Sequence, residues 1–159
     1  AEGSRPHSPD QFSIAGGDEM QATERKLGRV FHLRFEAGDD FYGEFNRFLK
    51  EKSIRGGSVF VFGAMNQMDM ISGFKSMKGY DVDRRHFGDW RELVGLGNIS
   101  WPDKPPAALG EGVTWTEPQP YVHIHMAMSG APGRNEEVLT GHLSGGLVKG
   151  MFADVYELV

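Results

Sequence analysis

The residues best suited to chemistry in this 159-residue chain are three of its six histidines: His123, His125 and His142. In Tyr121-Val122-His123-Ile124-His125-Met126-Ala127-Met128, two histidines stand two apart among apolar residues. On a β-strand, positions i and i+2 share a face. Both imidazoles then point one way, while Val122, Ile124, Met126 and Met128 point the other way, into a core. Two neutral imidazoles side by side suit a shared cation, and imidazole is a common ligand of zinc. The same spacing also suits a polar sheet face with no ion, so the third histidine carries the distinction.

Turn chemistry places that third histidine. Ser129-Gly130-Ala131-Pro132-Gly133-Arg134-Asn135 is crowded with turn formers. A hairpin turning near Gly133 sets His125 opposite His142, in Thr140-Gly141-His142-Leu143-Ser144. Directly opposed side chains have Cβ atoms about 5 Å apart. Gly141 leaves room for close approach. One hairpin can therefore present three imidazoles to one point, and no acid clearly joins them. Three protein donors leave a fourth coordination position open, which is the catalytic type of zinc site rather than the closed structural type.

Other residues carry weaker signals. Glu92 lies on a strand leading toward the histidines and is a candidate acid/base partner for water at a metal, or an orienting group. A solvated strand glutamate fits equally. Arg34 shares a face with His32 and Glu36 and is a candidate fork for a substrate carboxylate; an exposed edge residue is the plainer reading. His86, in Asp83-Arg84-Arg85-His86, belongs to a solvated charge run. Trp101 and Trp115 flank a Pro-rich stretch, as walls of an apolar pocket or anchors of a subunit contact. Gly95-x-Gly97 lacks the third glycine of a dinucleotide fingerprint, and neither a Gly-x-Ser-x-Gly nor a P-loop pattern occurs.

The elements that must position these groups follow from pattern. Residues 1–26 are expected to form a tail, rich in Gly, Ser, Pro and acids, with no secretory-type apolar segment. The expected location is cytoplasmic. From Leu27 an ordered domain, 27–159, begins. Phe31, Leu33 and Phe35 alternate with polar residues, which marks a half-buried strand. Gly38-Asp39-Asp40 stops it and offers a capping carboxylate. Phe41, Phe45, Phe48 and Leu49 then follow a helical period over about three turns, ended by Arg55-Gly56-Gly57. Strands are expected over 58–65 (a continuous apolar run, hence central), 68–74, 80–87, 90–100, 121–129, 137–143 and 151–159. The stretch 101–120, with five of the eight prolines, is expected to be a lid or an interface arm. One helix with about eight strands gives an α+β fold, largely antiparallel.

Composition excludes whole classes. Cysteine is absent, which removes disulfides, thiol nucleophiles and cysteine-ligated metals together. The net charge of −5 argues against a passive binder of nucleic acid or anionic membrane. No apolar run approaches the roughly 20 residues of a membrane span. Glycine, at 22 residues, has about twice its usual share and favours a turn-rich sheet.

Several motifs in order resemble one family. Leu33-Arg34-Phe35-Glu36-Ala37-Gly38-Asp39-Asp40, Glu92-Leu93-Val94-Gly95-Leu96-Gly97-Asn98-Ile99-Ser100, His123-Ile124-His125, Gly141-His142-Leu143 and a terminal Val155-Tyr156-Glu157-Leu158 resemble the plants-and-prokaryotes-conserved (PPC) domain over about residues 28–159. The resemblance implies a curved antiparallel sheet with one main helix, a homotrimer, and His123, His125 and His142 as metal ligands, usually with zinc. A more distant likeness runs to acetolactate decarboxylase, a half-barrel that holds zinc on a His-x-His pair plus a further histidine. Fold likeness alone does not fix activity. Thr140 stands where the family has glycine, and 101–120 is longer than the family's turn. Plant relatives add an AT-hook; Gly3-Ser4-Arg5-Pro6 has one arginine where the hook needs two.

The expectation is a trimeric zinc protein acting on a small polar molecule as a hydrolase or lyase, with Glu92 as acid/base and Arg34 as a substrate contact. The alternatives are a DNA-associated regulatory module of the PPC type and a scaffold holding a structural metal.

Overall fold

The computed structural model describes residues 20–76, 78–134 and 136–159. Most of the expected tail, including His7 and Arg5, therefore lies outside the described residues. The tail's last residue, Lys26, already exchanges backbone hydrogen bonds with Val159 at 2.8 and 2.9 Å. No helix among the described residues is long and apolar enough to cross a membrane.

The chain runs through strand β1 (Leu27–Phe35), helix α1 (Phe41–Lys52), and strands β2 (Gly57–Phe74), β3 (Val82–Phe87), β4 (Arg91–Ser100), β5 (Tyr121–Ser129) and β6 (Val138–Leu158). A single 3-10 turn, Ala107–Leu109, interrupts the long connection before β5. All pairings are antiparallel. The sheet order is β1-β6-β5-β4-β2-β3, with β6 also pairing β2. That extra pairing bends the sheet into a partly closed ring of β2, β4, β5 and β6, short of a true barrel. The architecture is α+β with one α-helix among the described residues, as the pattern predicts.

Six strands replace the expected eight because two pairs are continuous. Residues 58–65 and 68–74 are halves of β2, and 137–143 and 151–159 are halves of β6. The polar and glycine interruptions between the halves are bulges, not turns. Register against β6 shifts between Ala64 and Met65, Met65 and Gln67, and Asp69 and Met70. Gly146, at φ 143°, faces the Gln67 carbonyl, where an added Cβ would collide. Bulges bend a strand and raise its twist. Here they let one strand leave one partner and meet the next: β6 pairs β5 through 138–143, then β2 and β1 further on.

Helix α1 buries Phe41, Phe45 and Leu49 completely, with Phe48 packed edge-on to Phe31 at 5.2 Å. Its ends differ from the expectation. Asp40 occupies the N-cap but its carboxylate makes no capping bond; the neighbouring Asp39 accepts from the Glu36 amide instead, at 2.8 Å. The helix stops before Arg55, at Ser53, which takes a left-handed conformation (φ 55°). The buried residues of the helix, the inner faces of the strands and Ile54 form one core.

The apolar run 58–65 is central, between β4 and β6. Only one of its faces is buried by this chain. Val59 and Val61 lie inside, while Phe60 and Phe62 face outward at 37% and 42% exposure.

Candidate metal centre

The β5–β6 hairpin has the register that the turn residues imply. His125 pairs directly with His142, flanked by Ile124 with Leu143 and Met126 with Gly141. Val122, Ile124, Met126 and Met128 are buried, so alternation turns His123 and His125 to the outer face. His142 joins them there but is covered, at 7% exposure. Gly141 makes this possible from behind. A Cβ at that position would strike the Ile71 carbonyl oxygen and the Met70 methyl group of β2. The glycine therefore draws β6 onto β2, and with it His142 into place.

One ring nitrogen from each of the three histidines lies within 4.8 Å of the others. Nε2 of His125 and Nε2 of His123 are 3.1 Å apart. Two nitrogens bound to one tetrahedral zinc at 2.0–2.1 Å would stand about 3.3 Å apart. The donor spacing thus fits a first-row divalent cation, and the all-imidazole set suits zinc and its neighbours. His123, His125 and His142 would hold it.

Electrostatics favour the neutral form of His142 and His123. Burial, then the neighbouring His123, His125 and Arg84, lower the pKa of His142 to about 4. Burial and His125 lower that of His123 as well. A protonated imidazole cannot ligate, so lone pairs are available at neutral pH. Tyr121 stacks on His123 at 5.9 Å, and its hydroxyl lies 3.5 Å from His142 Nε2. Burial pushes that phenol up to about 12, so it stays protonated.

Beside His142 the sheet opens, because β5 and β6 part beyond Ile124 and Leu143. The gap leads to a cavity of about 120 Å³. Tyr42 and Asn46 of α1, Trp115 and Gln119 of the long loop, and His142 and Ser144 of β6 are among its walls. The Tyr42 hydroxyl donates to the Leu143 carbonyl at 2.6 Å. The loop 101–120 therefore walls a recess beside His142. Trp115 walls it and donates from Nε1 to Pro102 O at 3.0 Å. Trp101 instead anchors the start of the loop to its own chain: Nε1 donates to Ile54 O at 2.6 Å and Arg55 stacks on the ring at 3.9 Å.

The remaining candidates are not brought to the histidines within this chain. Glu92 shares their face, but it lies four residues along β4 from Leu96, the residue opposite His125. That is roughly 13 Å of strand. Arg34 pairs with Phe152 on the far side of the sheet and lies beside Glu36 at 3.4 Å. His86 bonds Asp69 at 2.7 Å, and Arg84 donates to Ala108 O at 3.0 Å, which ties the charge run to the loop. Tyr42 and Asn46 escaped sequence reasoning. Their signal is a polar pair at i and i+4, bordering the Phe41–Phe45 stripe.

Comparison with known proteins comes to the same architecture. The model of the Plants and Prokaryotes Conserved (PCC) domain matches residues 22–156. A metal-containing protein from Archaeoglobus fulgidus is 24% identical, with a TM-score of 0.70 over 87% of this chain and 86% of its own. A plant- and prokaryote-conserved (PPC) protein from Pyrococcus horikoshii is 21% identical, with a TM-score of 0.69 over 88% and 85%. Acetolactate decarboxylase from Bacillus subtilis subspecies spizizenii is 15% identical, with a TM-score of 0.50; the match takes in 85% of this chain and 54% of the decarboxylase. No curated protein matches the sequence.

Proposed function

The chain belongs to the Plants and Prokaryotes Conserved (PCC) domain family, and on that premise we propose that it is a zinc-binding protein acting on a small polar molecule as a hydrolase or lyase. One observation carries this reading: three imidazole nitrogens, from two adjacent strands, within 4.8 Å of one another. The metal-containing relative from Archaeoglobus fulgidus supports it. When bound, a divalent cation supplies Lewis acidity and lowers the pKa of water toward about 7. His123 and His125 orient from the exposed face and His142 from the cavity side. The Tyr121 hydroxyl, protonated throughout, is placed to donate to a substrate oxygen at the mouth. The loop 101–120 keeps bulk water from the recess.

We further propose a homotrimer. Phe60, Phe62, Val94 and Leu96 form an outward apolar face on β2 and β4, continuous with the strand that carries His125. An apolar face of this kind marks an association surface. Glu92 lies on that same face, so its acid/base role belongs to a second copy packed against it.

The test is a screen of zinc-replete protein against small β-keto acids, lactones and amides, with His125→Ala alongside. Turnover by the parent and none by the variant supports the reading; equal turnover by both overturns it. The second reading, a DNA-associated regulatory module, rests on the family association. Arg84 and Arg85 on β3 are its basic element. Against it stand the net charge of −5 and the need for clustered Lys and Arg on a phosphate backbone. A gel-shift titration over a range of salt with random duplex DNA separates the two.

A further inference from the structure

We infer that the cavity behind His142 is a binding subsite for an uncharged fragment that both donates and accepts hydrogen bonds, such as a primary amide or a hydroxylated carbon chain of about five non-hydrogen atoms. As the place for the non-coordinating end of a substrate, this rests on the metal reading above; as a binding site, the cavity stands by itself.

Size comes first. The recess holds about 120 Å³. An apolar cavity of about 150 Å³ takes up benzene, so this one suits a slightly smaller group. Lining comes second. Among the described residues no carboxylate, lysine or arginine is in its walls; the polar side chains are Tyr42, Asn46, Gln119, Tyr121, His142 and Ser144, with the Trp115 ring as a flat apolar wall. A charged fragment would lose its hydration without gaining a counter-ion.

An unmet hydrogen bond comes third. Asn46 Oδ1 is the one buried side-chain N or O atom without a partner among the described residues, and Asn46 lines this cavity. A buried polar atom left unpaired is costly, and such atoms mark places where a ligand or water belongs. Asn46 is held there by the helix itself, one position beyond the buried Phe45. Tyr42, one turn earlier, already commits its proton to Leu143 O, leaving the hydroxyl oxygen to accept. Ser144 and Gln119 supply donors from the opposite walls. The set reads an amide or a pair of hydroxyls.

His142 belongs both to the cavity wall and to the histidine cluster, which gives the fragment a direction. A molecule seated here projects its other end toward the three nitrogens, so the chemistry at the metal would be selected by what the cavity accepts.

The test uses acetamide and its isosteric anion, acetate, on the full-length chain in chelator, so that no metal is involved. The indole N–H resonance of Trp115, assigned with Trp115→Phe, reports occupancy by NMR. A saturable acetamide shift in the millimolar range, with acetate at least tenfold weaker, is the expected result. Asn46→Leu removes the unpaired acceptor and lowers acetamide affinity at least fivefold. Gln119→Phe plugs the cavity from the loop side, leaves the core untouched, and abolishes the shift. Acetate binding as tightly as acetamide overturns the ligand class. A shift unchanged in both variants overturns the location, and absence of any saturable shift leaves a water-filled recess and overturns the subsite. Zinc content, measured separately, reports on the metal reading alone.

Discussion

Nε2 of His123 stands 3.1 Å from Nε2 of His125, two residues along the same strand. Neighbours at i and i+2 lie almost 7 Å apart along a strand, so the side chains lean together to bring their nitrogens this close. A shared hydrogen bond holds the pair in the metal-free chain. A bound cation would replace that bond with two lone pairs, and His142 would complete the donor set from the paired strand.

Acidification acts on this cluster in a definite direction. An unfolded His142 takes up a proton below about pH 6.5, whereas the folded one does so only near pH 4. Between those values the unfolded chain binds more protons, so metal-free stability falls as pH drops from about 6.5 to about 4, by on the order of 3 kcal/mol from this residue. Urea unfolding in chelator across that range checks it. His142→Asn should flatten the slope, leaving the smaller part due to His123.

Gly141→Ala should damage the site from behind. Its new methyl group meets β2 at the Ile71 carbonyl and the Met70 side chain. We expect a loss of about 1–3 kcal/mol in stability and a fall of at least tenfold in zinc affinity, measured by competition with a chromogenic chelator.

The loop should loosen when its anchor is removed. Trp101→Phe removes the donor to Ile54 O and costs about 1–3 kcal/mol locally. Limited proteolysis within 102–120 should speed up several-fold, with zinc content unchanged.

Association should depend on the outward face of β2. Phe62→Lys places a charge among Val94 and Phe152, its partners across β4 and β6. Light scattering should give three chains for the parent and one for the variant. A parent that is already monomeric, or a variant that stays trimeric, contradicts the proposed trimer.

Much of this was legible before the fold was known, and for physical reasons. The His123–His125 face follows from strand alternation, and the His142 pairing from a turn-rich segment that pins register. The helix follows from Phe41, Phe45 and Leu49. What pattern could not show was continuity. Asn66-Gln67 and Ser144-Gly145-Gly146 look like breaks, because a bulge uses the same residues as a turn. The outward Phe60 and Phe62 were equally hidden: an apolar run gives no sign of which face its own chain buries. The placement of Glu92 depends on distance along a strand, which shared facing alone does not give. Asn46 and Tyr42 came to the cavity through packing of α1 against β5 and β6, a contact no local spacing encodes.

Metal content is the most direct measurement of the central claim. The parent and His125→Ala, loaded with zinc, dialysed to constant composition and analysed by plasma mass spectrometry, should differ sharply. The account predicts close to one zinc per chain for the parent and less than about a tenth of that for the variant, with both folded by circular dichroism, since His125 is exposed. Equal zinc in the two proteins, or none in the parent, would contradict it.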